Sequence, residues 1–336
     1  MKNPHIIIVS PALANANNGN WQTARRWMQF LRAGHQVDCA TTWNQHAMPV
    51  PAMMIALHAR RSAPSVDAFA RLHPKKPLAL ILTGTDLYRD IHADAAAQRS
   101  LQLATHLIVL QAAGLDELAP ALRRKARVIH QSAPSLAPHA RSAQARRFPV
   151  IMIGHLREEK QPATFMHAAS LVQHPGVRLI HVGAALDPAL GAMAQGTASQ
   201  YPSYRWLGAQ PHAGTRQRLR RSALMVIASQ MEGGANVIIE AVTSGVPVLA
   251  SAISGNRGML GEDYIGYFAV GDSAALARLI DRAASDPAYY ARLKAQCAIR
   301  ATLFAPAREK AAVRQLVDNC LLNSTDANGS LHECSS

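Results

Sequence analysis

Two glutamates eight residues apart, Glu232 and Glu240, stand in the stretch Met231-Glu232-Gly233-Gly234-Ala235-Asn236-Val237-Ile238-Ile239-Glu240-Ala241. The run before them, Leu224-Met225-Val226-Ile227-Ala228, reads as a short buried strand, and the residues after the two glycines read as a helix. Glycine at such a junction lets another molecule approach the backbone, and the first N–H groups of a helix have no partner within it. They suit phosphate. With Glu232 just before the helix and Glu240 about two turns in, the carboxylates fall near one face, roughly 10–12 Å apart along the axis. That span fits two hydroxyl-bearing rings on either side of a diphosphate. The competing reading makes Glu232 a helix cap and Glu240 a solvated side chain.

Further candidates stand at other strand ends. Gly154-His155-Leu156-Arg157-Glu158-Glu159-Lys160 follows an apolar run and offers two cations, although Lys160 also reads as an ordinary surface lysine. Gly19, Asn20, Trp21, Gln22, Thr23 and Arg25 occupy the first loop–helix junction. Trp21 reads as core, whereas Gln22, Thr23 and Arg25 fall on opposite or flanking faces where an anion could meet them. His58, Arg60 and Arg61 end another strand on the same side of the sheet, one of the two arginines being merely solvated. Thr83-Gly84-Thr85-Asp86 reads either as a ligand contact or as a glycine turn with an aspartate cap.

These residues need a scaffold that brings strand ends together. Apolar runs at Ile6–Ser10, from His35 to Cys39, Met53–Leu57, Leu78–Leu82, His106–Leu110 and Arg127–His130 alternate with helical stretches. In the first of these, Trp21, Ala24, Met28 and Leu31 share a face. A second alternating set runs through Pro149–Ile153, Arg178–Val182, Leu224–Ala228 and Val246–Ala250, followed by helices from Ser273 to Leu303 with a break at Asp286-Pro287. The Pro-, Ala-, Ser- and Arg-rich segment Ser132–Phe148 reads as a connection. The expected division is 1–140, 149–305, and a C-terminal helix and tail over 306–336, frayed or disordered from Asn323. Right-handed crossovers then give two α/β domains with parallel sheets facing one another across a cleft. The first unit lacks G-x-G-x-x-G and a following ribose-reading acid, which disfavours nicotinamide binding.

Composition narrows the class. The 336 residues suffice for two cores, and their 49% hydrophobic content is that of a globular protein. There is no apolar run of ~18 residues to span a bilayer, and the start reads as a first strand rather than a signal peptide, so the expectation is cytoplasmic. Cys39, Cys297, Cys320 and Cys334 have no metal-ligand spacing, so neither a metal nor a disulfide is expected. Thirty-five Lys and Arg against 21 Asp and Glu give +14, which favours anionic partners.

On these motifs the sequence, over roughly residues 5–320, resembles the GT-B glycosyltransferases of the family 4 type. The resemblance implies two Rossmann-like domains, an N-terminal acceptor-binding one and a C-terminal nucleotide-sugar-binding one. It implies that Glu232 contacts donor-sugar hydroxyls and that Glu240 holds the nucleotide ribose. Gly154, Leu156 and Lys160 match the family's diphosphate turn, with His155 in place of its arginine and Arg157 nearby to supply charge. Gly233, Gly234, Ala235 and Asn236 join the donor site, with Glu232, Lys160 and Arg157 in catalytic roles. The acceptor set becomes Gly19, Asn20, Gln22, Thr23, Arg25, His58, Arg60, Arg61, Thr83, Gly84, Thr85 and Asp86. Departures are Thr83 for a common histidine, Gly258 for an acid, and Ile129-His130-Gln131-Ser132 for the usual Pro-Asn-Gly. NNGNWQTARRW, LTGTDLYRD and EGGANVIIEAVTSGVPVLASAISGNRGMLG resemble one narrower group, the selenosugar synthases of bacterial selenoneine biosynthesis.

That likeness implies transfer of N-acetylglucosamine or glucose from a UDP-sugar to selenophosphate, with no metal cofactor. The alternative within the family is an O-glycosyltransferase acting on a lipid, polysaccharide or small molecule. A lipid acceptor would favour a basic amphipathic helix, and the N-terminal half shows no clear one. A nucleic-acid binder would account for the charge, but it leaves the glutamate pair unexplained, and 5% aromatic residues offer few stacking platforms. No nucleic-acid partner and no stable membrane insertion are expected.

Overall fold

The computed structural model describes residues 3–13, 19–140 and 146–329, with side chains through residue 323. The chain divides into two compact units: residues up to Gln131 together with the segment from Pro306, and Ser132–Ala305.

The first unit carries a six-stranded parallel sheet of order β2-β1-β3-β4-β5-β6. Its strands are β1 (His5–Val9), β2 (Gln36–Ala40), β3 (Met53–Leu57), β4 (Leu78–Leu82), β5 (His106–Val109) and β6 (Ala126–Val128). β3 and β4 are buried at every residue, as their unbroken apolar runs require of strands covered on both faces. On the helix Gly19–Leu31 the expected Ala24, Met28 and Leu31 are buried, but the deepest aromatic is Trp27, while Trp21 is only partly covered. Thr23 is on the buried face as well.

Trp27 is explained by the far end of the chain. Its indole N–H donates to Glu309 Oε1 at 3.0 Å, and Arg26 Nε reaches Oε2 of the same carboxylate at 3.1 Å. Glu309 lies on the helix Pro306–Gly329, which sends Val313, Leu316, Val317 and Cys320 into the core shared by Ile6, Ile8 and Trp27. The C-terminal segment is thus part of the first unit. The backbone expected to fray from Asn323 is helical as far as Gly329, and residues 330–336 lie outside the described part.

The second unit has a parallel sheet of order β12-β11-β10-β7-β8-β9. The strands are β7 (Phe148–Ile153), β8 (Val177–Val182), β9 (Tyr204–Trp206), β10 (Leu224–Ile227), β11 (Val248–Ser251) and β12 (Tyr267–Phe268). The edge strands β9 and β12 are too short to leave a sequence pattern. Chain order reverses between β7 and β10, the kind of switch point outside which open α/β sheets bind ligands. The helices Ser273–Ser285 and Pro287–Ala301 meet at the expected break, where Asp286 Oδ1 caps the second by accepting from the Tyr289 N–H. The connecting segment lies along this unit: Arg216 Nη2 donates to the Pro134 carbonyl at 2.6 Å, and a Cβ at Gly245 (φ +72°) would come within 3.0 Å of Pro138. Residues 141–145 of that segment are outside the described part.

Among the described residues no helix is long and apolar enough to cross a membrane, and no group of three His, Cys, Asp or Glu side chains could hold a metal ion. Cys39, Cys297 and Cys320 are free thiols.

Candidate active site

The turn after β7 and the loop after β10 meet at the switch point of the second sheet. Their backbones join where the Gln230 N–H donates to the Glu159 carbonyl at 3.0 Å. Lys160, at the end of the 3-10 turn Glu158–Lys160, then places Nζ 2.5 Å from Glu232 Oε1. Ser229 Oγ donates to the same oxygen at 2.6 Å. Glu232 is only 9% exposed, and the cap position of the following helix, Asn236–Val242, belongs to Ala235 with no side-chain cap bond. The capping reading of Glu232 therefore fails. Its carboxylate is held by a cation and a hydroxyl.

Two glycines that the sequence analysis did not single out make this meeting possible. A Cβ on Gly255 would stand 1.8 Å from the Glu232 carbonyl oxygen, and one on Gly183 1.8 Å from that of Gly154. Both are backbone contacts that cannot yield. Gly154 itself is different: a Cβ there would meet only the flexible Lys160 stem, at 3.8 Å. The protein's own packing does not demand glycine at 154, whereas close approach of a ligand would.

His155 accepts a hydrogen bond from the Ala184 N–H through Nδ1 at 3.1 Å, which leaves the proton of the neutral ring on Nε2. Burial, then Arg157 and Lys160, hold its pKa below the usual histidine value. Arg157 is exposed, with Nε 3.9 Å from Glu159 Oε2. Gly233 and Gly234 precede a helix of seven residues rather than a long one, so few peptide dipoles align there, and the charge of any phosphate placed at this end would fall mainly to side chains.

Glu240 lies in the second turn of that helix and is 9% exposed, so it is no solvated side chain. His212 Nε2 stands 2.7 Å from its Oε1, and Arg216 Nε 4.0 Å from the same oxygen. Neither residue stood out in the sequence, although their four-residue spacing on the helix His212–Arg221 puts them on one face.

In the first unit, the ends of β3 and β4 form a polar knot. His58 adopts a left-handed backbone (φ +73°), unusual for a residue with a Cβ, and its side chain is 3% exposed. Its Nε2 lies 3.2 Å from Thr85 Oγ1, and its ring stands near Asp86 and Asp90 at 4.0 and 3.9 Å. Burial lowers the His58 pKa, opposed by Asp86. Asp86 is wholly buried: Oδ1 accepts the N–H groups of Thr83 and Gly84, and Oδ2 that of Ala59, each at 2.9 Å. Asp86 thus staples two strand-end loops. Arg60 Nε pairs with Asp90 Oδ2 at 3.1 Å, while Arg61 is exposed with no ion-pair partner among the described residues.

At the first loop–helix junction, Thr23 is turned inward, donating to the Gly19 carbonyl at 2.9 Å and accepting from Gln131 Nε2. It does not lie on the open face expected of it. Arg25 is exposed, Asn20 and Gln22 are half-buried, and Asn15–Asn18 of the preceding loop fall outside the described residues.

The profile of the glycosyl transferases group 1 family matches residues 140–299, which contain the whole of the Lys160–Glu232–Glu240 arrangement. Among solved structures, the chain is similar to Anabaena HepE in complex with UDP and glucose, at 16% identity and TM-score 0.72 over 94% of this chain and 100% of that one. It is also similar to a sucrose-phosphate synthase of Thermosynechococcus elongatus, at 19% identity and TM-score 0.75, covering 95% and 100%. The pneumococcal O-GlcNAc transferase GtfA, in complex with UDP and GlcNAc, matches at 17% identity and TM-score 0.62 over 80% of this chain and 57% of its own. The chain therefore has the GT-B fold of these structures, and its residues 140–299 match the glycosyl transferases group 1 profile.

Proposed function

We propose that this protein is a glycosyltransferase that takes N-acetylglucosamine or glucose from a UDP-sugar and transfers it to selenophosphate with formation of a carbon–selenium bond. The observation that carries the donor half is the pair of nearly buried glutamates, one held by Lys160 and Ser229, the other by His212. Glu240 would accept from ribose hydroxyls, and Glu232 from hydroxyls of the donor sugar. Lys160, the Nε2–H of His155 and Arg157 would take up charge on the departing diphosphate, which is the main electrostatic demand of such a transfer. HepE is bound to UDP and glucose in a structure of the same fold, which is in keeping with this donor.

The acceptor half rests on the three motifs that resemble selenosugar synthases and on the exposed guanidinium groups of Arg25 and Arg61. Selenophosphate brings an anionic, soft selenium that needs little activation. Its lone pair attacks the anomeric carbon as the bond from that carbon to the UDP oxygen breaks. Water then displaces the selenol from phosphorus, releasing phosphate. What the enzyme must supply is positive charge between two polyanions and their alignment.

Mass spectrometry of products from a panel of UDP-sugars with selenophosphate, thiophosphate or phosphate tests the proposal. A selenosugar formed with selenophosphate supports it. Turnover only with oxygen acceptors, or none with selenophosphate, overturns the acceptor while leaving the donor intact.

A further inference from the structure

The helix His212–Arg221 turns a histidine and an arginine toward one oxygen of Glu240. His212 opens the helix, and Arg216 follows one turn later, so both project on the side that packs against Asn236–Val242. His212 Nε2 is 2.7 Å and Arg216 Nε 4.0 Å from Oε1. Among the described residues no hydrogen bond is made to Oε2, and Oε1 is the nearer oxygen for both His212 and Arg216. A carboxylate that is 9% exposed normally engages both oxygens, so one held on a single side is oriented rather than merely neutralised. Arg216 is itself anchored, since its Nη2 donates to the Pro134 carbonyl at 2.6 Å. His212 is the closer partner, and its side chain is 49% exposed beside the carboxylate.

We infer that His212 is a positioning residue for nucleotide recognition: by occupying Oε1 it fixes the Glu240 carboxylate in the one rotamer that presents Oε2 to a ribose hydroxyl. The inference rests on the proposed ribose role of Glu240. Without His212 the carboxylate can swing toward the Arg216 guanidinium, and the hydroxyl loses an aligned acceptor. The deficit falls on the ribose and spares the diphosphate, which Lys160 meets elsewhere in the site. His212 therefore contributes to discrimination between ribo- and deoxyribonucleotides without touching the sugar itself.

The test measures, by calorimetry, the affinities of the full-length protein for UDP and for 2′-deoxy- and 3′-deoxy-UDP in wild type, His212→Ala, His212→Gln, Glu240→Ala and the double alanine variant. Wild type is expected to prefer UDP over at least one deoxynucleotide by about tenfold or more, the scale of a hydrogen bond to a charged group. Glu240→Ala should bring that ratio close to one. His212→Ala should remove most of the preference, with no further loss in the double variant, and His212→Gln, which keeps an N–H, should restore most of it. A wild-type ratio in His212→Ala, with the ratio collapsed in Glu240→Ala, overturns the positioning role and leaves the ribose reading standing. A ratio unchanged by Glu240→Ala overturns both. Additive losses in the double variant also overturn the inference, because they give His212 a role independent of Glu240.

Discussion

Lys160 and Glu232 can be separated by a charge-matched cycle. Their side chains are 22% and 10% exposed, with N and O 2.5 Å apart. Lys160→Met keeps the stem and removes the cation, leaving the Glu232 carboxylate with only the Ser229 hydroxyl. Removing one partner of a buried pair costs about 3–5 kcal/mol, and the partial exposure of Lys160 reduces the expectation to about 2–3 kcal/mol. The same change should weaken UDP binding by about 1.5–3 kcal/mol, roughly 10- to 150-fold, while uridine, which has no phosphate, binds as before. Adding Glu232→Gln removes the stranded charge, so the double variant should recover most of the stability. It should not recover UDP affinity, because the phosphate cation is still missing. Thermal melts and calorimetry on the four proteins read both quantities. If UDP affinity returns together with stability, Lys160 serves only to neutralise Glu232, and its assignment to the diphosphate is refuted.

Other consequences follow from single contacts. Glu309→Ala strands the Trp27 indole N–H and the Arg26 guanidinium, so it should destabilise the first unit by about 2–4 kcal/mol, and Glu309→Gln by less; equal melting of all three proteins would refute the anchoring role. Burial pushes His181 down to about 4, so below about pH 6.5 the unfolded chain takes a proton that the folded one refuses. Stability should then fall by roughly 3 kcal/mol between pH 6.5 and 4, and His181→Gln should flatten that part of a denaturation-midpoint profile. If Lys160 and the other side-chain donors carry the diphosphate charge, as proposed, transfer should persist in EDTA; complete loss that Mg²⁺ or Mn²⁺ restores would refute that assignment. Replacing Arg25, Arg60 or Arg61 singly by Ala should, for the residue that meets the acceptor, slow initial rates with selenophosphate at unchanged UDP affinity. Arg60 is the least expected of the three, being paired with Asp90. Wild-type rates in all three would place the acceptor elsewhere.

The sequence by itself determined the strand–helix alternation, because a parallel strand covered on both faces must be apolar throughout, and β3, β4 and β10 are written that way. It also marked the glutamates, the glycines and Lys160, whose types and spacing in chain order carry a chemical meaning without coordinates. Partners were a different matter. Lys160 meets Glu232 across 72 residues because β7 and β10 are neighbours at the switch point, a consequence of strand order that no local pattern encodes. Trp27 answers Glu309 from 282 residues away, which is why helical periodicity named Trp21 and passed over the residue that anchors the C-terminal helix. Asp86 read either as a ligand contact or as a cap, and only the structure shows three backbone N–H groups converging on it. Periodicity reports which face of an element leaves water, and residue type reports what a side chain can do. Which donor meets which acceptor depends on how strand ends and helices are brought together, and only the tertiary structure decided that.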